Sequence, residues 1–248
     1  MNVPKIRSEG KKLPVSKVCF LGAINVIDKL GSYRVVDLTK KIIPGQMGRR
    51  CEIRIKHSDR TDDYQCEIDI MSHLGTHLES PYHWNTDWKD VSELPISSFM
   101  GRCVMLKITD IEPAAKITAA HMAKADGGRV RKSDIILVDT PYHLPPFSFP
   151  EKEIRPCVNA EMGQWLIDKG VKCIGFADGV DIESNVPEFK EFHAVAMAHD
   201  ICFIEVLENF DELRQDVFFL MAVPLPFKGL DSCPVRAVAI EGLPGFDQ

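Results

Sequence analysis

The chain has 248 residues, of which 45% are hydrophobic, and this length suits one large domain or two small ones. Its formal net charge is -6 without a long basic run, which disfavours a nucleic-acid partner. No stretch approaches the roughly 20 apolar residues of a membrane span, and no signal-peptide pattern is evident. A cytoplasmic protein without a membrane partner is therefore the expectation.

The N-terminal part differs from the rest of the chain. We expect residues 1–32 to form an extension or arm, with a short helix over residues 23–30 that Gly31 ends. The domain proper is expected to span residues 33–248.

Strands outnumber helices in this domain, and the helices lie between the later strands. In chain order, strands are expected at 34–38, 51–56, 64–71, 104–108, 135–139, 171–176, 201–207, 218–223 and 235–240. Helices are expected at 119–125, 160–169 and 189–199. Thr118 and Asn159 can cap the first two helices. The order predicts a single mixed α/β domain with a strand-rich core.

A segment between the third and fourth of these strands carries four metal-binding side chains within eleven residues, namely His73, His77, Glu79 and His83. Imidazoles and carboxylates bind divalent zinc or manganese. All four fall on odd positions, which share one face of an extended chain. Because a straight strand would hold the first two histidines too far apart for one ion, we expect a strand that bends at Gly75 and continues as a loop. A histidine-rich surface loop, or core histidines satisfied by hydrogen bonds, is the alternative.

Glu205 is a further candidate ligand. By strand alternation it shares a face with Ile201, Phe203 and Leu207. An ionised carboxylate on an apolar face is costly unless it is paired or bound to a cation. An equally open interpretation of Glu205 is that its side of the strand is partly solvated near the strand end. His193, in the predicted helix 189–199, taken alone is typical of a surface histidine.

Two tryptophans follow the motif closely. Trp84 and Trp88 can form the wall of an aromatic substrate pocket, and hydrophobic packing is the alternative interpretation.

The segment from His73 to His83 resembles the H-x-G-T-H-x-D-x-P-x-H motif of the metal-dependent cyclase family, which includes bacterial kynurenine formamidases and isatin hydrolases. The resemblance extends over most of residues 33–241, with further matches at 37–39 and 234–237. It implies a single-domain, mixed β/β/α cyclase-like (swivelling) fold and a homodimer or homotetramer.

The resemblance also implies which residues bind metal. His73 and His77 match the first two motif histidines, which bind an ion. Glu79 stands where the family's aspartate binds the same ion or bridges two. His193 and Glu205 have the spacing of the histidine and glutamate that complete a second metal position. The glutamate in place of aspartate leaves the bridging and the number of ions, one or two zinc or manganese ions per subunit, open.

His83 matches the family's catalytic acid–base. The implied activity is hydrolysis of a small amide by a metal-activated water. The substrate class is an aryl formamide such as N-formylkynurenine, or a cyclic amide such as isatin. The same metal site acting on a lactone or in a dehydration or cyclisation, and a non-catalytic metal-bound ligand-binding protein, are the alternatives.

Overall fold

The computed structural model describes residues 26–58, 60–144 and 153–247. Within these ranges the strands are β1 (Ile27–Leu30), β2 (Tyr33–Asp37), β3 (Cys51–Ser58), β4 (Asp63–Ile70), β5 (His77–Glu79), β6 (Met100–Lys107), β7 (Ile135–Asp139), β8 (Cys173–Ala177), β9 (Cys202–Leu207), β10 (Val217–Met221), β11 (Ser232–Pro234) and β12 (Val238–Glu241). The helices are α1 (Ala119–Asp126), α2 (Ala160–Lys169) and α3 (Val186–Met197). Short 3-10 turns lie at Pro81–His83, Ile96–Ser98 and Phe210–Glu212.

Ten of the strands form one mixed sheet in the order β1-β2-β12-β10-β6-β7-β8-β9-β5-β11. The central strands β6 to β9 run parallel to one another. The flanking strands pair antiparallel. Strands β3 and β4 form a separate hairpin. This architecture confirms the predicted mixed α/β, strand-rich fold.

The two faces of the central sheet carry different cores. Because successive residues of a strand point to opposite faces, Met105 and Leu137 join one apolar cluster while Leu106 and Val138 join the other. The first cluster, the inner core, also includes residues of β2, β10 and β12. The second, the helix-side core, is covered by α1, α2 and α3. The result is the predicted β/β/α layering.

The sheet curls so that its two halves meet. A bridge between Thr39 and Leu207 and a hydrogen bond from Glu208 N to Leu38 O (3.0 Å) join the chain after β2 to the end of β9. This contact encloses the inner core and brings the end of β9, with Glu205, beside the N-terminal strands.

The first two helices begin where their capping residues predict, whereas α3 spans Val186–Met197 instead of the predicted 189–199 and has no side-chain cap. The Thr118 side chain accepts a hydrogen bond from the His121 backbone at the start of α1, and the Asn159 side chain accepts two at the start of α2. Gly170, in the left-handed conformation, ends α2 as expected. Among the described residues, no helix combines the length and the apolar character that crossing a membrane requires.

The helix predicted over residues 23–30 is wrong in its described part. Ile27–Leu30 is a strand that pairs antiparallel with Tyr33–Val36, and Gly31 supplies the positive φ (64°) of the turn between them. The sheet thus begins before the predicted domain start at residue 33, which lies inside this hairpin. Residues 1–25 of the predicted extension lie outside the described residues.

The last predicted strand begins later than expected. In place of a strand over residues 235–240, the chain forms β12 at Val238–Glu241, and β11, which was not predicted, precedes the predicted bounds and pairs with a different neighbour in the sheet. The three residues of β11 form no alternating pattern long enough to be recognised in the sequence.

Candidate metal centre

Strand β5 carries two of the motif residues and lies between β9 and β11. In its register His77 is opposite Glu205 and Glu79 is opposite Ser232. The pairing of β5 with β9 therefore places a distant glutamate directly beside the second motif histidine.

The bend at Gly75 is present, but the order of strand and loop is the reverse of the prediction. Residues 71–76 form an irregular loop, and the strand begins only at His77. Gly75 has a φ of 62°, a conformation that glycine adopts without a steric penalty. The turn brings the rings of His73 and His77 to 5.0 Å between centroids. The irregular loop that precedes the strand, with its turn at Gly75, thus brings the two histidines together.

An irregularity in β9 lies next to Glu205. Val206 has a φ of 59°, which is rare for a β-branched residue, and the register with β8 shifts at this point. Phe203 therefore packs in the helix-side core while Leu207 packs in the inner core. The predicted common face holds for Ile201 and Phe203 and is wrong for Leu207. Strained backbone of this kind concentrates at functional sites.

The hydroxyl of Thr76 supports this irregularity. It donates a hydrogen bond to Val206 O and accepts one from Lys40 N, both at 2.7 Å. The loop that carries the motif is thereby attached to β9 beside Glu205.

Glu79 is the centre of a buried cluster of histidines. Its Oε1 lies 2.7 Å from His73 Nδ1, 3.5 Å from His77 Nε2 and 3.9 Å from His83 Nε2. Its Oε2 lies 3.8 Å from His193 Nε2. The structure thus unites the four motif residues and His193 in one site.

Glu205 completes the set of predicted ligands. Its Oε2 lies 3.3 Å from His77 Nε2, and its side chain is buried. The alternative of a solvated strand end does not hold, because the carboxylate faces a histidine inside the protein.

The site contains buried polar atoms that lack hydrogen bonds. His77 Nε2 and Glu79 Oε2 have no hydrogen-bond partner among the described residues. Such atoms are costly when they are left unsatisfied, yet both are ordinary metal ligands. His77 Nδ1 donates to Gly75 O (2.8 Å), and His193 Nδ1 donates to Phe189 O (2.9 Å). Each histidine therefore directs its Nε2 into the cluster, as metal-binding histidines do.

Three groups of three ligand atoms in the described part of the chain lie within 4.8 Å of one another. They come from His73, His77 and Glu79, from Glu79, His83 and His193, and from His73, His83 and Asp231. The residues present therefore fit a divalent ion that prefers nitrogen and oxygen ligands.

The carboxylates make the site attractive to positive charge. Burial opposes protonation of His77, but its contacts with Glu205 and Glu79 outweigh burial and raise its pKa to about 10. Burial likewise opposes protonation of His73, yet contacts with Asp231 and Glu79 raise its pKa to about 9. Burial and the neighbouring Glu79 raise the pKa of Glu205. The negative charge that favours protonation of these histidines also attracts a metal cation, so protons and the metal ion compete for the site.

Asp231 belongs to the site although sequence reasoning missed it. Its Oδ2 lies 2.7 Å from His73 Nε2 and 3.4 Å from His83 Nδ1. It directly precedes β11, and the pairing of β11 with β5 that brings it here was not predicted. The only signal in the sequence was its position beside the family-like segment that begins at Pro234.

A cavity of about 550 Å³ opens beside the cluster. His73, His77 and Glu205 border it, and its other charged side chains are Lys40, Arg49, Glu153, Arg155, Asp178, Asp181 and Glu183. Neither tryptophan is among the described residues that border it. The Trp84 ring lies 5.7 Å from that of His193, and Trp88 packs against the helix-side core.

Comparison with known proteins identifies the family of the chain. The Cyclase family model, described as "Putative cyclase", matches residues 36–184. A kynurenine formamidase from Bacillus cereus is 29% identical over 177 residues, which cover 69% of this chain and 78% of the relative.

Solved structures share the fold. Isatin hydrolase A from Labrenzia aggregata, bound to benzyl benzoate, matches with a TM-score of 0.66 and 20% identity over 84% of this chain and 93% of that chain. A structure described as a potential metal-dependent hydrolase with cyclase activity matches with a TM-score of 0.66 and 22% identity over 84% and 98% of the two chains. Because the family model spans more than half of the chain, and the motif of the family forms the buried cluster, the chain belongs to the Cyclase family.

Proposed function

We propose that this protein is a metal-dependent hydrolase of small amides, with an aryl formamide such as N-formylkynurenine or a cyclic amide such as isatin as its substrate. The observation that carries the proposal is the buried pair of unsatisfied atoms, His77 Nε2 and Glu79 Oε2, with His83 beside them. The kynurenine formamidase relatives support hydrolysis of a C–N bond other than a peptide bond, in agreement with the sequence prediction.

The proposed metal ligands combine the cluster with the family resemblance. His73, His77 and Glu79 would hold one divalent ion, and His193 and Glu205 would join Glu79 in holding a second. The mixed imidazole and carboxylate set suits zinc or manganese. When bound, such an ion lowers the pKa of a coordinated water and polarises the substrate carbonyl.

We assign the transfer of protons to His83. Its side chain is 27% exposed, whereas His77 and His193 are almost fully buried. Its Nε2 faces the cluster at 3.9 Å from Glu79 Oε1. His83 accepts a proton from the attacking water and then donates one to the leaving nitrogen as the C–N bond breaks. The water oxygen remains in the carboxylic acid product.

The cavity suits a small polar substrate. Its volume of about 550 Å³ lies within the range of small-molecule sites. Lys40, Arg49 and Arg155 bring positive charge to its wall, and the acids of the same wall bring negative charge. Trp84 and Trp88 remain proposed substrate contacts, and of the two Trp84 lies nearer to a site histidine.

A homodimer or homotetramer is part of the proposal. The β3–β4 hairpin leaves Tyr64 74% and Ile68 64% exposed. An isolated two-stranded hairpin is marginally stable in water, so cover by a second copy of the chain would stabilise it.

A cytoplasmic location is proposed as well. Cysteines at seven described positions are free thiols, as is usual in a reducing compartment.

The test is a substrate panel with one matched variant. Wild-type protein loaded with zinc or manganese is assayed on N-formylkynurenine, isatin and a small lactone. His83→Gln is expected to lose at least about 100-fold in kcat, because it removes the proton carrier, while it keeps the wild-type metal content. Equal activity of His83→Gln contradicts the mechanism. Hydrolysis of the lactone alone favours the alternative reaction, and ligand-induced thermal shifts without turnover favour a binding protein.

A further inference from the structure

Asp231 is fixed to the strand that carries the metal ligands. Ser80 donates to Asp231 O through both its backbone nitrogen (2.9 Å) and its hydroxyl (3.0 Å). The next residue, Ser232, pairs with Glu79 in the register of β11 and β5. The Asp231 backbone therefore keeps its position relative to Glu79.

One oxygen of Asp231 contacts two histidines. His73 Nε2 donates to Oδ2 at 2.7 Å, and His83 Nδ1 donates to it at 3.4 Å. The opposite nitrogens, His73 Nδ1 and His83 Nε2, lie 2.7 Å and 3.9 Å from Glu79 Oε1. A bound ion would take the unprotonated nitrogen of His73 on the Glu79 side, so the remaining N–H of that ring would face Asp231, which as an ionised carboxylate only accepts hydrogen bonds. The Nδ1–H of His83 faces the same oxygen of Asp231, which leaves Nε2 unprotonated in the neutral ring.

We propose that Asp231 is a positioning residue that fixes the ring orientation and the tautomer of both His73 and His83. One carboxylate thereby orients both a metal ligand, His73, and the proton carrier, His83. The part of this inference that concerns His83 rests on the proposed function.

The identity of the side chain is important for this role. Asparagine has nearly the same shape, but one of its oxygens is replaced by an NH₂ group that donates. If that group faces His83, it favours the opposite tautomer, with the proton on Nε2. His83 would then present an N–H to the water from which it must take a proton.

The first test is a double-mutant cycle at saturating zinc. Asp231→Asn is expected to lower kcat on the best substrate of the panel by about 10- to 100-fold, as is usual for such supporting residues, with KM changed by less than about threefold. In the His83→Gln background the same substitution is expected to change kcat little, because its effect passes through His83. Asp168→Asn, at an exposed position of α2, is the matched control and should match wild type. Equal losses in both backgrounds overturn the proposal.

The second test needs no substrate. Long-range ¹H–¹⁵N NMR of the zinc-loaded protein reports the tautomer of each histidine. We expect the Nδ1–H form of His83 in wild type and a shift toward the Nε2–H form in Asp231→Asn. Asp231→Glu keeps the carboxylate and is expected to keep the wild-type signal. An unchanged spectrum in Asp231→Asn overturns the proposal, as does the loss of one bound ion per chain, which would make Asp231 a ligand.

The two tests separate this inference from the proposed function. If the wild-type protein hydrolyses nothing in the panel, the hydrolase proposal fails, while the NMR comparison still reports whether Asp231 sets the tautomer.

Discussion

At the scale of single residues, Glu79 is the side chain that links the histidines of the candidate site to one another. Its two oxygens face different histidines, with Oε1 toward His73 and His77 and Oε2 toward His193. Its pKa is held well below the usual range, because close contacts with these three histidines outweigh the effect of burial. A charged carboxylate is therefore available to a metal ion at neutral pH.

Substitution of Glu79 should weaken metal binding. Glu79→Gln removes the charge and is expected to lower zinc affinity by on the order of 100-fold, equivalent to about 2.7 kcal/mol. Glu79→Asp restores the residue of the family motif and should stay within about tenfold of wild type. Competition with a chromophoric chelator measures both, and Glu191→Gln, at an exposed position of α3, is the control. Wild-type affinity in Glu79→Gln would remove Glu79 from the ligand set.

The residues of the site differ in how far the sequence could predict them. The motif histidines and Glu79 were predictable because they share one short segment. Glu205 was predictable from the cost of a carboxylate in an apolar strand. Asp231 was not, because its contact with the histidines depends on the pairing of a three-residue strand that has no periodic pattern.

At the scale of elements, the loop before β5 brings His73 and His77 together through the conformation of one glycine, Gly75. A Cβ on Gly75 would lie 2.9 Å from Ile42 Cγ1. Gly31 has a similar positive φ, with nothing within 4 Å of its Cβ position. The two glycines form a matched pair, in which only Gly75 lies between proposed metal ligands.

Alanine at these two positions should separate strain from function. Both Gly75→Ala and Gly31→Ala are expected to lower the free energy of unfolding by about 1–2 kcal/mol, the penalty of a left-handed alanine. Only Gly75→Ala should also weaken zinc binding, because the adjustment moves His73 relative to His77. Urea denaturation and zinc titration provide the comparison. Equal zinc affinity in both variants would show that the bend does not position the ligands.

Long elements were easier to predict than short ones. The buried strand at Ile135–Asp139 and the helix at Ala160–Lys169 match their predicted bounds, since an apolar run and a capping asparagine define them. The helix prediction at β1 is wrong because four residues show neither the helical nor the strand period of hydrophobic side chains clearly. Its strand conformation depends on pairing with β2.

At the scale of the whole molecule, ion pairs make stability depend on pH. Hydrogen bonds from Arg155 lower the pKa of Glu153 to about 2, from an ordinary value of 4.5. The unfolded chain therefore binds more protons between these values, so the contribution of Glu153 is present above pH 4.5 and is lost as the pH falls toward 2.

Acid titration of stability tests this pair. We expect the free energy of unfolding of the metal-free protein to fall between pH 5 and pH 3, and to fall less steeply in Glu153→Gln, which has no carboxyl group to protonate. Urea denaturation at each pH, with chelator present, gives both curves. Identical slopes would mean that the Glu153–Arg155 pair is not formed in solution.

The layering of the whole molecule was predictable, but its closure was not. The order of strands and helices indicated one mixed α/β domain. The contact between Thr39 and Leu207 joins segments far apart in the chain and has no local pattern in either of them.

The central claim is that the buried histidines and glutamates bind the ion on which hydrolysis depends. The most direct measurement is formamide hydrolysis before chelation, after chelation and after zinc or manganese is added back, with the metal content determined by mass spectrometry. We predict that activity disappears with the metal and returns with one to two ions per chain. A protein verified as metal-free that retains the full rate would contradict the claim.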